Sequence, residues 1–259
     1  MTYQSDQLSN SAVIPEIASN VFADHQDSRF AVGLVAIGDK VIPGREEELL
    51  GYLRLRAKVY AEQNSIISKD LILADGTERD KDDFRSAHFC VIENAANNPR
   101  VIGAMRLIVK SHENPELLPI EEFFPEVFEA NPAQELSTEV SRYICRHEIQ
   151  KVQNGLKWLL YAAGLSYVIN NKLGPTYALI EQPLERGLKA SGVPVSRIGD
   201  PKYIEEYNSE NFPVSIDTEA LARRMNVQNP GMIASAKAAV EDFVYSGAVQ
   251  HIDSKIEVA

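Results

Sequence analysis

Three arginines stand where apolar residues are expected. Leu49, Leu53, Arg56 and Tyr60 fall on one stripe at helical spacing. Val101–Val109 reads as a strand in which Arg106 shares a face with Ile102, Ala104 and Ile108. Leu136–Cys145 reads as a second strand, with Val140, Tyr143 and Ile144 supplying β-branched and aromatic bulk. It nevertheless carries Glu139 and Arg142 in its middle. An ion in such a place is costly unless it is paired or used. The chain offers Glu139 and the cluster Glu78, Asp80, Asp82, Asp83 as partners. An acid-rich cluster attracts an α-ammonium group, so amine chemistry is one use of the set. On local grounds a structural ion pair between Glu139 and Arg142 is an equal alternative. Residues three apart in a regular strand face opposite sides. Glu139 and Arg142 therefore share a site only if a β-bulge lies between them.

Taken singly, each feature has a plainer reading. Arg56 could lie at the edge of its stripe and reach water. Glu78 to Asp83 is interleaved with Arg79, Lys81 and Arg85, as solvated loops are. These carboxylates lack calcium-loop spacing, and His88, His112 and His147 lack ligand spacing, so no metal is expected. Cys90 and Cys145 read as small core hydrophobes in a reducing compartment. With 26 basic and 37 acidic residues the formal charge is −11, which argues against a nucleic-acid partner. The start shows no secretory pattern, and the apolar run Trp158–Ile169 is too short for a bilayer. A cytoplasmic protein with no membrane span is the expectation.

These residues need a frame. Residues 29–37 read as a strand, 45–63 as a helix with Glu46, Glu47 and Glu48 in its first turn, and 64–85 as mostly loop around Asp75-Gly76. Residues 86–93 and 101–110 read as an antiparallel hairpin across Asn97-Asn98-Pro99. A proline-rich connection with at most a short helix near Ile120 leads to the strand 136–145. The strongest helix follows over 150–171, then a strand over 176–181 and a helix from Pro183 to Gly192. A short strand near 195–198, an extended piece over 212–216, and helices over 217–225 and 232–245 complete the chain. The mixed order predicts an α+β fold with a largely antiparallel sheet.

Four motifs occur in register: Arg56 with Tyr60 four residues on, Glu78-x-Asp80-x-x-Asp83, Gly103-x-x-Arg106 and Glu139-x-x-Arg142. In this order they resemble the acyl-homoserine-lactone (autoinducer) synthases, acyltransferases of the GNAT superfamily, over residues 30–217. The stretch from Tyr177 to Pro213 is more similar to the long-chain N-acyl amino acid synthases and the exosortase-associated acyltransferases. The cues there are Leu179-x-x-x-x-Leu184 running into Arg186, Gly192, Gly199-x-Pro201-x-Tyr203 and Pro213.

The resemblance implies a GNAT-like three-layer α/β/α sandwich whose central sheet splays between strands 136–145 and 176–181. It implies an arm over 1–28, an acyltransferase domain over 29–217 and a C-terminal helical extension over 218–259. In such folds the donor's pantetheine arm pairs with backbone in the splay, which assigns donor contacts to Val140, Ser141 and Tyr143. The following helix start receives phosphate, here through Arg146, Lys151, Asn154 and Gly155 without a full glycine-rich loop. That departure fits an acyl carrier protein donor better than acyl-CoA, with no permanently bound cofactor. Glu139 is the implied general base, acting through water, with a backbone N–H near Val140–Tyr143 as oxyanion donor. Arg106 and Arg142 complete the catalytic set, and Arg56, Tyr60, Glu78, Asp80 and Asp83 hold the acceptor side. Autoinducer synthases carry a tryptophan ten residues past the helix arginine, where Ile66 stands here. The expected activity is fatty N-acyl transfer to a small amino-acid-like amine. The rivals are a homoserine-lactone synthase using S-adenosylmethionine, an acetyltransferase using acetyl-CoA, and a non-catalytic acyl-binding protein.

Overall fold

Alternation at period two places Phe89, Val91, Met105 and Leu107 on one side of a sheet, and Cys90, Ala104 and Ile108 on the other. Each side then needs a helical layer. The computed structural model describes residues 30–63, 66–95, 98–129, 132–133 and 136–228. The arm expected over 1–28 and the helix expected over 232–245 lie outside them.

The elements are β1 (Phe30–Ile37), β2 (Lys40–Val41), α1 (Glu46–Arg56), β3 (Ser86–Ala95), β4 (Asn98–Val109), α2 (Pro119–Phe123), α3 (Pro125–Phe128) and β5 (Thr138–Cys145). After these come α4 (Gln150–Asn170), β6 (Thr176–Ile180), α5 (Gln182–Ser191), β7 (Val195–Arg197), β8 (Lys202–Ile204), β9 (Ser209–Ile216) and α6 (Thr218–Gln228). The strand order is β2-β1-β3-β4-β5-β6-β9-β7, with β8 on the edge of β9. The β5–β6 pair is parallel and is held by three residue pairs, Thr138–Thr176, Glu139–Tyr177 and Val140–Ala178; the other pairs are antiparallel. Past Val140 the two strands part.

α4 covers one face, where Leu156, Leu160 and Ala163 pack on Phe89, Met105 and Leu107. α1 covers the other, where Leu49, Tyr52 and Leu53 pack on Val35, Cys90 and Ala104. α6 buries Leu221 and Met225 against Ala162 and Leu165 of α4. The expected three layers and mostly antiparallel sheet are present.

Three local features differ from the sequence reading. The helix expected over 45–63 is α-helical only to Arg56 and continues as a π-helical turn, Ala57–Gln63. The connection after β4 holds two short helices, each opened by a proline at its first turn, where a missing N–H costs nothing. The extended piece over 212–216 belongs to the eight-residue β9, an inner strand of the sheet. Gly103 is where β3 and β5 crowd β4: a Cβ there would lie 2.8 Å from Val91 Cγ2 and 3.1 Å from the Ile144 carbonyl oxygen.

Candidate active site

A wall of buried charge starts at the end of α1. Arg56 is fully buried. Its Nε donates to Glu78 Oε2 at 2.5 Å, and its two Nη atoms donate to the two oxygens of Asp83 at 2.6 and 3.1 Å. This is the planar, forked geometry that guanidinium suits. Arg106 donates to Ser141 Oγ at 2.9 Å, Asp80 Oδ1 at 2.5 Å and Asp83 Oδ1 at 3.0 Å. Arg142 reaches Glu78 Oε1 at 3.0 Å and Asp80 Oδ2 at 2.8 Å. Three guanidinium groups and three carboxylates interlock, and their charges balance. Burial acts to raise the pKa of Glu78, Asp80 and Asp83. The guanidinium groups outweigh it and hold all three carboxyls below the usual range.

The loop before β3 positions its carboxylates by bonding to itself and to α1. A bridge between Ile72 and Glu78, with the Glu78 N–H donating to the Leu53 carbonyl at 3.3 Å, fixes Glu78 beside the helix. Asp83 Oδ2 accepts the Asp80 N–H at 2.8 Å, and Asp80 Oδ1 accepts the Asp82 N–H at 2.9 Å. Asp82 itself turns away and pairs with Arg85. Beneath the wall, His88 spans the Asp83 carbonyl and the Tyr52 hydroxyl at 3.1 and 3.2 Å. Burial lowers its pKa to about 4, so near neutrality the ring is an uncharged support.

β5 brings Arg142 to this wall by a bulge. Glu139, Val140 and Ser141 face Ile108, Leu107 and Arg106 in register, yet Ile144 faces Ala104. Three steps on β5 thus match two on β4. Arg142 takes up the extra residue with φ +49°, a left-handed conformation rare for a side chain of its size. In a regular strand Arg142 would point toward α4; the bulge turns it onto the face of Glu139, Ser141 and Arg106. Strand alternation requires a bulge between Glu139 and Arg142 if both serve one site, and it lies at Arg142 itself.

Glu139 stands apart from the arginines of the wall, whose carboxylate partners are Glu78, Asp80 and Asp83. Among the described residues no ion pair joins it to Arg142 or Arg106; its Oε2 accepts the Ile120 N–H at 2.8 Å, a donor that the first turn of α2 leaves open. Burial pushes its carboxyl up to about 8 against the pull of that N–H, and Asp82 adds to the rise. It is a neutral acid near neutrality and becomes a base just above it.

Two cavities meet where β5 and β6 part. One, about 360 Å³, is lined by Glu139, Ser141, Arg142, Tyr143, Arg146, Tyr60, Ile66 and Tyr207. The other, about 110 Å³, is apolar and runs under α4 past Met105, Leu107, Val140, Leu165 and Val168. Ser141, Tyr143, Leu179, Ile180 and Leu184 line both. At the junction of β5 and α4, the His147 N–H donates to Gln153 Oε1 at 3.1 Å and the Ile149 N–H to His147 Nδ1 at 3.0 Å. Two backbone donors at the expected phosphate site are therefore taken by side chains. Lys151 lies in the first turn of α4. Asn154 Oδ1 accepts from Gln150 Nε2 and lines a separate hollow beside Trp158, while a Cβ on Gly155 would meet open space. Arg146 lines the large chamber, and Asn154 the hollow beside Trp158, with Lys157 lining both.

The sequence reading passed over Tyr207. It sits on the 3-10 turn Glu205–Tyr207 between β8 and β9, packs edge-to-face on Phe123 at 5.4 Å and faces the same cavity as Glu139. Burial, with Glu139 adding to it, raises its hydroxyl pKa well above the usual value. Tyr203, quoted for the resemblance, is 61% exposed and bonds to Asn208 instead. Nothing in the local sequence separates these two tyrosines; Tyr203 lies in edge strand β8 and Tyr207 in the 3-10 turn that follows it.

Residues 45–223 match the sequence profile of the family described as Autoinducer synthase. The chain belongs to the autoinducer synthase family. That membership makes it an N-acyltransferase. Among solved structures, a CoA-dependent acyl-homoserine lactone synthase, BjaI, superposes with a TM-score of 0.56 at 21% identity, over 76% of this chain and 92% of that one. The acyl-homoserine lactone synthase LasI gives 0.54 at 18% identity, over 74% and 91%. FeeM, an N-acyl amino acid synthase from uncultured soil microbes, gives 0.53 at 13% identity, over 79% and 98%. At these identities the likeness is one of fold. No curated protein sequence matches the chain.

The wall predicts an asymmetric result for Arg106. Arg106→Lys cannot reach Ser141, Asp80 and Asp83 together, so charge alone should not restore activity. Arg106→Ala should cost stability as well as rate, because it leaves buried carboxylates short of a partner. Denaturant titration alongside acyl-transfer rates checks both; a lysine variant at wild-type rate would remove the geometric requirement.

Proposed function

We propose that this enzyme moves a fatty acyl group from an acyl carrier protein thioester to the α-amine of a free amino acid. The joined cavities carry the reading. A dry channel suits an acyl tail, and it opens beside the bulge onto a chamber holding Glu139 and the charged wall. The amine nitrogen attacks the thioester carbonyl carbon. Glu139, ionised, takes the amine proton through water. A backbone N–H at the bulge receives the developing oxyanion. The C–S bond breaks, the sulfur leaves as thiolate on its carrier, and it takes the proton that Glu139 holds, which restores the base. Val140, Ser141 and Tyr143 are assigned to the donor arm. Glu78, Asp80, Asp83, Arg56 and Tyr60 are assigned to the acceptor side.

Two features bear on the substrates. The backbone donors that would meet a pyrophosphate are occupied by Gln153 and His147, which favours a carrier protein over coenzyme A. Ile66 lines the acceptor chamber, and the Arg142 guanidinium lies 5.4 Å from the centre of the Tyr60 ring. A sulfonium therefore finds an aliphatic wall and an aromatic face already engaged by a cation. Losing one such contact is worth about 1 kcal/mol, roughly a fivefold bias against S-adenosylmethionine. The family match favours the second reading, a homoserine-lactone synthase. A competition assay separates the two. Purified enzyme receives one acyl carrier thioester, S-adenosylmethionine and a panel of amino acids together, and the same mixture is run with acyl-CoA. N-acyl amino acids as the main products support the proposal. Acyl-homoserine lactone as the dominant product establishes the second reading, and faster turnover with acyl-CoA overturns the donor assignment.

A further inference from the structure

We propose that Tyr60 is a positioning residue that holds the β5 bulge in its working shape, rather than a residue that serves only to line the acceptor chamber. The inference rests on the acyl-transfer reading, because the bulge matters only if the thioester reacts beside it.

Contacts made by three groups of Tyr60 carry it. The Tyr60 hydroxyl donates to the Tyr143 carbonyl at 3.1 Å. The bulge takes Tyr143 out of register with β4, which pairs Ser141 with Arg106 and next Ile144 with Ala104. A main-chain acceptor displaced from a ladder and partly buried needs another donor. Tyr60 supplies it from across the chamber, 83 residues away in sequence. The Tyr60 ring meanwhile backs the Arg142 guanidinium at 5.4 Å, on the residue that bears the left-handed φ of +49°. The Tyr60 carbonyl accepts the N–H groups of Ile66 and Ile67 at 2.7 and 3.3 Å, which ties the chamber wall carrying Ile66 to the same turn. Hydroxyl, ring and carbonyl thus join three parts of the site through one side chain and its own peptide.

The backbone of this segment is unusual in a way that fits the role. Ala57–Gln63 is π-helical, a form that is rare and concentrates at functional sites. It widens the helix where Tyr60 turns inward from the end of α1. Arg56, in the last regular turn, is already fixed by Glu78 and Asp83. The turn therefore grows from a clamped base, and the tyrosine at its middle is aimed at the bulge. Without the hydroxyl, β5 loses the group that satisfies its displaced carbonyl. The strand can then slide toward a regular register, which carries Arg142 to the α4 side and away from Glu78 and Asp80.

Tyr60→Phe tests this cleanly, because it removes the hydroxyl and keeps the ring under Arg142. The measurements are steady-state rates with acyl carrier thioester and acceptor varied in turn, thermal unfolding, and amide hydrogen exchange over residues 138–147. The proposal expects kcat to fall about tenfold, the KM for acceptor to change less than twofold, and exchange to quicken at Tyr143 and Ile144. Tyr60→Leu, which also removes the ring, should fall further and loosen the same amides. A raised acceptor KM with kcat and exchange unchanged would mean that Tyr60 serves only the acceptor. A lowered melting temperature with unchanged kcat and exchange would mean that its bond is only structural. Either result overturns the positioning role while acyl transfer stands. A wild-type enzyme that makes no acyl product from any donor and acceptor pair would instead remove the reading beneath it.

Discussion

Glu139→Gln should nearly abolish acyl transfer and make the protein more stable at alkaline pH. Proton transfer by a positioned side chain is worth about 10² to 10⁴ in rate. Gln keeps the shape and can still accept the Ile120 N–H, so the loss is that of the base alone. The pH dependence carries the same signature. The wild-type kcat/KM should rise with pH through the region of about 8, where burial places the Glu139 carboxyl. The stability effect has the opposite sign. A carboxyl whose pKa is raised by folding holds its proton more tightly when folded than when unfolded. Its contribution is complete below the ordinary value of 4.5 and is lost as pH climbs through about 8. Gln carries no charge at any pH. The variant should therefore melt above the wild type at pH 9 and close to it at pH 5. Thermal melts at the two values, with a pH–rate profile, check both halves. An active variant, or a wild-type profile flat from pH 6 to 9, would take the proton transfer away from Glu139.

The largest stability effect should come from Arg56→Ala. The guanidinium is fully buried and holds Glu78 by one nitrogen and Asp83 by two. Removing it takes one guanidinium partner from each of two buried carboxylates, a change that costs about 3–5 kcal/mol. Arg142 and Arg106 hold the same acids from the other side, so the strain reaches the bulge and activity should vanish too. Arg56→Lys should fall between, keeping a charge without the fork. Urea unfolding measures the first effect and acyl-transfer rate the second. A folded, active alanine variant would show that the network is dispensable.

The wall was legible in the sequence because charge at an apolar position is a strong signal. Arg56, Arg106 and Arg142 had to find carboxylates, and a loop crowded with Glu78, Asp80 and Asp83 lay within reach. The choice among those carboxylates was not legible. Asp82 goes to Arg85 and Glu139 to a backbone N–H because the 3-10 turn and α2 settle where each side chain can point. The need for a bulge followed from strand alternation, but its position at Arg142 depends on long-range pairing with β4. The π-helical turn was not legible, because apolar spacing at helical period does not separate it from the α-helix it continues. Tyr207 was hidden because its place depends on a hairpin docking against Phe123, 84 residues upstream.

The shortness of the β5–β6 pairing has a consequence for how the molecule comes apart. Three residue pairs join the β1–β5 half of the sheet to the β6–β9 half. The ladders on either side are longer: β4 forms ten pairs with β3, and β6 forms five with β9. The seam between the halves is thus a short line of hydrogen bonds inside the sheet, and opening there should precede global unfolding. An acyl donor lying in the gap would suture that seam, adding contacts to both halves at once. Saturating donor should raise the melting temperature by mass action, and most of the added protection should fall on β6 and the open end of β5. A donor bound there would act on the sheet as one more strand does, by tying its two neighbours together.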